Sequence, residues 1–429
     1  MNLEYLFGLE FHGHKFGLDN ITALTDALGQ PQAAYKTVSV AGTNGKGSVC
    51  AMVARALTAA GHRTGLYTSP HLVTLNERFV VDGEPVTDAE MSEALADVRA
   101  AIDRLLAQGR LRAQPTFFEV ATSMALVMFR KREVNVAVLE VGLGGRLDAT
   151  TVVTPVAAAI TTIDLDHQAY LGGTIRAIAA EKAGIAKPGV VLVCGERKRE
   201  AVDVITDVCR QNGALLIDAW DGINLAAAST AGVTTIRLQT PTRSYDPCTL
   251  SLRGAHQVDN AVVAVRILEV LDAAGIPVPA RAVVDGLTRA QWPGRLELVW
   301  LDGGREMLLD AAHNPAGAER LASYLADVYP LGLPLVFGAV QDKDIEGMLR
   351  VLIPHATHIV LTSPPSPRAA STADIATLVA RLAPDVTAHI EPDPVGAVAR
   401  AFRCAPTICV AGSIYLLGAV IRGVGGMRR

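Results

Sequence analysis

Apolar positions along the chain switch repeatedly between two spacings. Short apolar runs at 37–41, 64–68, 134–141, 156–162 and 189–194 have the length and β-branched content of buried strands. Residues 88–107, 117–131 and 174–183 instead carry apolar positions at helical spacing. Strand signals resume at 306–311, 335–339, 358–362, 387–390 and 407–411, separated by helical stretches such as 316–327 and 372–382. Strands alternating with helices predict an α/β fold with mainly parallel sheets. At RAQWPGRLE, residues 289–297, Pro293 and Gly294 break any helix and no long apolar pattern crosses. The expected boundary is near residue 295, giving an N-terminal domain 1–294 and a smaller C-terminal α/β domain 295–429. Residues 219–255 read as a β-rich or irregular insertion.

Composition narrows this picture. A chain of 429 residues exceeds what one core usually serves, and 50% hydrophobic residues suffice for two. A net charge of -4 leaves no basic footprint for nucleic acid. Six cysteines lie scattered at 50, 194, 209, 248, 404 and 409 without CxxC pairs, which fits a reducing cytoplasm. The N-terminal MNLEYLFGLEFHGHKFG carries Glu4, Glu10 and Lys15 and lacks the basic-then-apolar layout of a signal peptide. Ala405 to Ile421 approaches membrane length, but Pro406, Gly412, Ser413 and Gly418 split it into a strand and a helix start. The expectation is a cytoplasmic protein without membrane or nucleic-acid partners, monomeric by default.

The candidate chemistry begins at VSVAGTNGKGS, residues 38–48. Val38 and Val40 end a strand, while Val49, Met52, Val53, Ala56, Leu57 and Ala60 follow at helical spacing until Gly61. Strand, glycine loop and helix form a phosphate-binding arrangement: crowded main-chain N–H groups, a positive helix start, and Lys46 reaching terminal phosphates. Ser48 is placed to touch a nucleotide-bound magnesium. The common fingerprint has glycine where Val40 stands and Ser/Thr directly after the lysine; Gly42 and the intervening Gly47 depart from it.

Other candidates sit where strands end, the edge at which open α/β sheets gather ligands. NVAVLEV, 135–141, delivers Glu140 just before GLGGR, and TTIDLDHQAYLG brings Asp164, Asp166 and His167 within four residues, a donor set suited to a divalent metal. TSPH, 68–71, offers Ser69. Thr116 to Glu119, TFFE, and Thr87 to Glu90 both read as capping boxes, and pattern alone favours a cap for each. DAAHNP, 310–315, puts Asp310 and His313 on a loop entering a helix, with Arg295 at the hinge.

Taken in order, GTNGKGS, TSPH, TFFE, VGLGGRLDAT, DH followed by LGGT, EKAGIAKPG, HQVDNA, PGR and DAAHNP resemble the folylpolyglutamate synthase and dihydrofolate synthase family, within the Mur ligase superfamily. The resemblance runs to GSIYLLG near residue 418 and implies an N-terminal nucleotide-binding domain, a C-terminal α/β domain, and an active site between them. It implies that Gly45, Lys46, Gly47 and Ser48 hold ATP phosphates, that Asn260, Arg295 and Asp310 contact the nucleotide, and that Ser69, Glu140 and His167 bind two magnesium ions. Lys182, fifteen residues after His167, corresponds to a lysine this family carbamylates with carbon dioxide to N6-carboxylysine. Thr116, Phe117, Phe118 and Glu119 with Leu147, Asp148 and Ala149 would line the pterin site, and His313 and Ser413 are candidates for the incoming glutamate. One departure is Thr151, where the family usually has asparagine after RLDAT.

The resemblance implies an ATP-dependent ligase that converts a folate or pteroate carboxylate into an acyl phosphate, which the amine of L-glutamate attacks. Lys46 and Lys182 would serve the chemistry, with Asp310 and His313 candidates to orient the amine. Three alternatives stay open in the sequence: a monofunctional member of the family, a cell-wall peptide ligase with the same chemistry, and a nucleotide-binding regulatory module that makes no bond.

Overall fold

The computed structural model describes residues 3–9, 17–111 and 113–425. Glu10 and Lys15 lie outside the described residues, as does the side chain of Glu4. Two compact units emerge, one from residues up to 225 with 238–246 and 259–290, the other from 226–237, 247–258 and residue 291 onward.

The first unit is built on an eight-stranded sheet. Its strands are β1 (Lys36–Ala41), β2 (Thr64–Tyr67), β3 (Phe79–Val81), β4 (Glu84–Pro85), β5 (Val136–Glu140), β6 (Ala157–Ile160), β7 (Val191–Cys194) and β8 (Leu215–Asp218), in the spatial order β4-β3-β2-β5-β1-β6-β7-β8. From β2 to β8 every pairing is parallel, and the antiparallel β3 and β4 finish one edge. The expected strands are all present: β1 begins one residue before its apolar run, and the others are one to three residues shorter than theirs. The β3 and β4 pair was not expected: strands of three and two residues are too short to show a period.

Helices Asp88–Ala107 and Phe117–Lys131 cover one cluster of buried side chains that includes Phe79, Met91, Ile102, Leu105, Met124 and Phe129. Helices Ile175–Ala183 and Arg199–Asn212 cover another, around Ile160, Ile178, Leu192 and Ile205. Both anticipated capping boxes form, Thr87 with Glu90 and Thr116 with Glu119. Helix Lys46–Ala59 is buried on nearly all sides and packs against helix Ala280–Arg289. That approach requires Gly286, since a Cβ there would lie 2.7 Å from both Ala56 Cβ and Met52 O.

The 219–255 region is β-rich, as expected. It holds β9 (Asn224–Thr230), β10 (Val233–Gln239) and β11 (Ser244–Thr249), a three-stranded sheet with β10 in the middle. Thr234, Ile236 and Leu238 of β10 are buried while their neighbours are exposed, the period-2 pattern of a half-buried strand.

The second unit carries β12 (Glu297–Leu301), β13 (Arg305–Asp310), β14 (Leu333–Phe337), β15 (Ala356–Leu361), β16 (Ala388–Ile390) and β17 (Thr407–Ala411), ordered β12-β13-β17-β14-β15-β16. Only β12 is antiparallel. Leu308, Leu321, Leu325, Phe337, Met348 and Ile359 are among its core. Among the described residues no helix is long and apolar enough to cross a membrane.

Candidate functional site

Strand register in the first unit brings four loops to one edge. Val40 of β1 pairs with Glu140 of β5 and with Ala159 of β6, and Ile160 pairs with Cys194 of β7. The loops that follow, from Gly42, Val141, Thr161 and Gly195, therefore leave the sheet side by side at its carboxyl ends.

The glycine loop is held by its neighbour. Gly45 is the N-cap of helix Lys46–Ala59 with φ of 88°, and Gly42 has φ of 151°. A Cβ at Gly42 would overlap Thr161 Oγ1, and one at Gly45 would overlap Asn260 Oδ1, so the glycines serve close approach as well as φ. Thr43 N–H donates to Thr162 O at 2.6 Å, and Thr161 Oγ1 donates to Asn44 O at 2.6 Å. Lys46 Nζ lies over its own loop, donating to Gly42 O at 3.0 Å and Thr43 O at 3.1 Å. Gly47 and Ser48 are buried in the first helical turn.

Lys182 enters the same place from helix Ile175–Ala183. Its side chain is buried, and Nζ donates to Gly42 O at 2.8 Å, so two lysine amines converge on one carbonyl. Burial, reinforced by the Lys46 ammonium, pulls Lys182 from the usual lysine range down to about 7.

Glu140 is buried at the end of β5, and its Oε2 accepts the Ser69 N–H at 3.1 Å, joining two of the three residues expected to bind magnesium. The proposed trio of Asp164, Asp166 and His167 does not form. Asp164 Oδ1 meets Lys198 Nζ at 2.6 Å, and Asp166 Oδ1 accepts the His167 N–H at 2.8 Å. Among the described residues no three His, Cys, Asp or Glu side chains converge as a metal-holding group. His167 Nε2 stays 3.9 Å from Asp166 Oδ2, and it is Asp164, drawn to Lys198, that leaves the group. The Ser69 hydroxyl and the Glu140 carboxylate are oxygen donors of the kind magnesium takes, an ion that keeps several waters and substrate phosphate oxygens rather than a complete protein cage.

Two further predicted groups are occupied by the fold. Glu119 Oε2 accepts the Thr116 N–H at 2.7 Å and the Thr116 hydroxyl at 3.0 Å, completing the cap. Phe117 is buried against Phe7 and Arg78, while Phe118 is half-buried beside Tyr67. Asp148 is buried, with Oδ2 accepting the N–H groups of Gly142 and Leu143 at 3.1 and 2.9 Å. Its Oδ1 accepts the Thr150 N–H at 2.9 Å and the Thr150 hydroxyl at 2.5 Å. Asp148 thus staples the GLGGR loop, which leaves Leu147 half-buried and Ala149 buried. Thr151 closes the same loop, its Oγ1 donating to Gly145 O at 2.6 Å.

In the second unit Asp310 ends β13, opposite Ala411 of β17. Its oxygens accept the N–H groups of Leu296 and Ala312, each at 2.9 Å, and burial raises its carboxyl against the lowering effect of Arg295. Gly412 N–H donates to Ala312 O at 3.1 Å, which brings the His313 loop beside that of Ser413. His313 Nδ1 lies 2.9 Å from Ala311 O, and the buried Ser413 caps helix Ile414–Val424. Arg295 Nη1 donates to Gly294 O at 3.2 Å.

Sequence reasoning missed Thr43, Thr161, Glu196 and Lys198. Glu196 carried a usable signal, a carboxylate just past a strand end, as at Glu140. The others show themselves only through loop-to-loop bonds.

The sequence from 40 to 268 matches the Mur ligase middle domain, and 294 to 414 matches the Mur ligase glutamate ligase domain. A dihydrofolate synthase/folylpolyglutamate synthase of Mycobacterium tuberculosis is 37% identical over 367 residues, covering 82% of this chain and 75% of that one. The solved M. tuberculosis folylpolyglutamate synthase complexed with ADP and AMPPCP superposes with a TM-score of 0.91 at 33% identity, over 100% of this chain and 99% of that one. A bifunctional folylpolyglutamate synthase/dihydrofolate synthase of Yersinia pestis, complexed with AMPPNP and Mn ion, gives 0.83 at 32% identity over 99% and 97%. With its glycine loop, edge carboxylate and buried lysine in one place, the chain belongs to the Mur ligase family, in the branch of the folylpolyglutamate and dihydrofolate synthases.

Proposed function

We propose that this chain is an ATP-dependent ligase that adds L-glutamate to a folate, and to dihydropteroate as well, through an acyl phosphate. The observation that carries the reading is the convergence of Lys46 and Lys182 on the Gly42 carbonyl, beside the edge that bears Glu140.

A carboxylate resists amide formation because its oxygen does not leave, so the γ-phosphoryl group of ATP is first transferred to it. Such a transfer is helped mostly by positioning and by stabilising charge. Gly45 to Ser48 offer N–H groups and the Ser48 hydroxyl to the phosphates, and Lys46 swings from its loop carbonyls onto the transferred group. Ser69, Glu140 and His167 are assigned to two magnesium ions, which when bound supply charge neutralisation and orient the phosphates. Asn260, Arg295 and Asp310 are assigned to the nucleotide, Thr116 to Glu119 and Leu147 to Ala149 to the pterin, and His313 and Ser413 to glutamate.

Lys182 is assigned to the carbamate. A neutral amine attacks carbon dioxide, the N–C bond forms, one C=O pair moves onto oxygen, and the nitrogen proton goes to water. The product is an anion where an ammonium stood, able to offset magnesium charge. The modules are taken as 1–294 for ATP and 295–429 for the ligase half, and the compartment as the cytoplasm.

The test is phosphate release with ATP, magnesium and L-glutamate, with dihydropteroate and tetrahydrofolate in separate reactions and glutamate addition confirmed by mass. Turnover of both is expected. Turnover of one assigns a monofunctional enzyme, and glutamate-independent hydrolysis without product would sink the ligase reading.

A further inference from the structure

We propose that Glu196 and Lys198 act as a positioning clamp on the loop from Thr161 to His167, and through it on the phosphate loop. The proposal rests on the assignment of His167 to a divalent cation.

The clamp grips both sides of one residue. Ile163 N–H donates to Glu196 Oε2, and Ile163 O accepts from Lys198 Nζ at 2.7 Å. Lys198 Nζ also reaches Asp164 Oδ1 at 2.6 Å. Glu196 is only 6% exposed, and its other oxygen takes the N–H groups of Arg197 and Lys198 at 2.8 and 2.6 Å. A buried carboxylate with three main-chain donors is held by charge-assisted bonds and has little freedom to shift.

The clamp is seated on the sheet. Gly195 N–H donates to Ile160 O at 2.8 Å, and a Cβ at Gly195 would stand 3.1 Å from Thr161 O while overlapping Val263. Trp220 Nε1 donates to Gly195 O at 3.1 Å, and the Arg197 guanidinium lies over the Trp220 ring at 3.4 Å. Arg197 also pairs with Asp259 at 3.6 Å, the residue before Asn260.

The gripped segment touches the phosphate loop. Thr43 N–H donates to Thr162 O, Asp164 N–H donates to Thr43 Oγ1 at 3.0 Å, and Asn44 N–H donates to Thr162 Oγ1 at 3.4 Å. His167 follows three residues later. Residues 162–164 therefore carry the clamp's rigidity both to Thr43 and Asn44 and to His167. Glu196 and Lys198 act through other residues and are positioning residues. Groups bonded directly to a metal ligand tune metal affinity by about 10- to 100-fold, and the clamp, which reaches His167 only through residues 163 and 164, is expected at the lower end.

The test is Mn2+ titration, followed by electron paramagnetic resonance, of the full chain with a non-hydrolysable ATP analogue. Glu196→Gln places an N–H group among N–H donors, and Lys198→Met removes the partially exposed cation without opening the core, so it decides the matter should Glu196→Gln fail to fold. His167→Ala is the control for the underlying assignment. About tenfold or greater weakening of Mn2+ binding is expected in all three. Weakening in His167→Ala alone overturns the clamp and leaves the metal assignment standing. Unchanged binding in all three removes the assignment, and the clamp with it.

Discussion

Carbamylation of Lys182 requires a neutral amine, and the structure sets how much of it exists. An ordinary lysine near 10.4 is only about 0.4% neutral at pH 8, whereas a group near 7 is about 90% neutral, roughly a two-hundredfold gain in nucleophile. Burial of Lys182, with Lys46 beside it, places this lysine at about 7. The perturbation is Lys182→Arg, which keeps a cation and offers no amine for carbon dioxide. With 13C-labelled bicarbonate near pH 8, the parent chain should show a protein-bound carbamate carbon by NMR, and the variant should lack it. The same shift makes a stability prediction. Between about 7 and 10.5 the folded chain binds fewer protons at Lys182 than the unfolded chain, so unfolding free energy rises with pH there by up to about 1.4 kcal/mol per pH unit. In carbon-dioxide-free buffer, unfolding midpoints at successive pH values should therefore rise more steeply for the parent than for Lys182→Met. A parent without the carbamate signal, together with parallel stability curves, would refute the reasoning.

Two other changes test the surrounding loops. Gly45→Ala puts a Cβ onto Asn260 at a φ of 88°, a strain of about 1–3 kcal/mol, and should weaken ADP binding by calorimetry about tenfold or more; unchanged affinity contradicts the close approach. Asp148→Asn turns one acceptor oxygen toward N–H or hydroxyl donors into an amide nitrogen; it should cost about 1–3 kcal/mol in urea unfolding and raise KM for the pteroate substrate more than KM for ATP.

The sequence by itself determined the α/β class, the strand-loop-helix at 38–60 and the carboxylate at the end of β5. Each is a local consequence of periodicity, glycine placement or capping chemistry, and Thr116 with Glu119 closes a box within four residues whatever the rest of the chain does. Order of neighbours was not local. Lys182 reads as a solvated helix lysine, and only packing beneath the Gly42 carbonyl buries it and shifts it. Asp164, Asp166 and His167 read as one metal group, yet Asp164 turns to Lys198, which lies 34 residues away. Glu196 stands visibly just past a strand end, but its partner was silent, because Ile163 offers only a main-chain N–H, which every residue but proline has and no pattern marks. Tertiary structure alone decided which loops leave the sheet side by side, because parallel register joins strands distant in sequence, and the chemistry of the edge depends on those adjacencies.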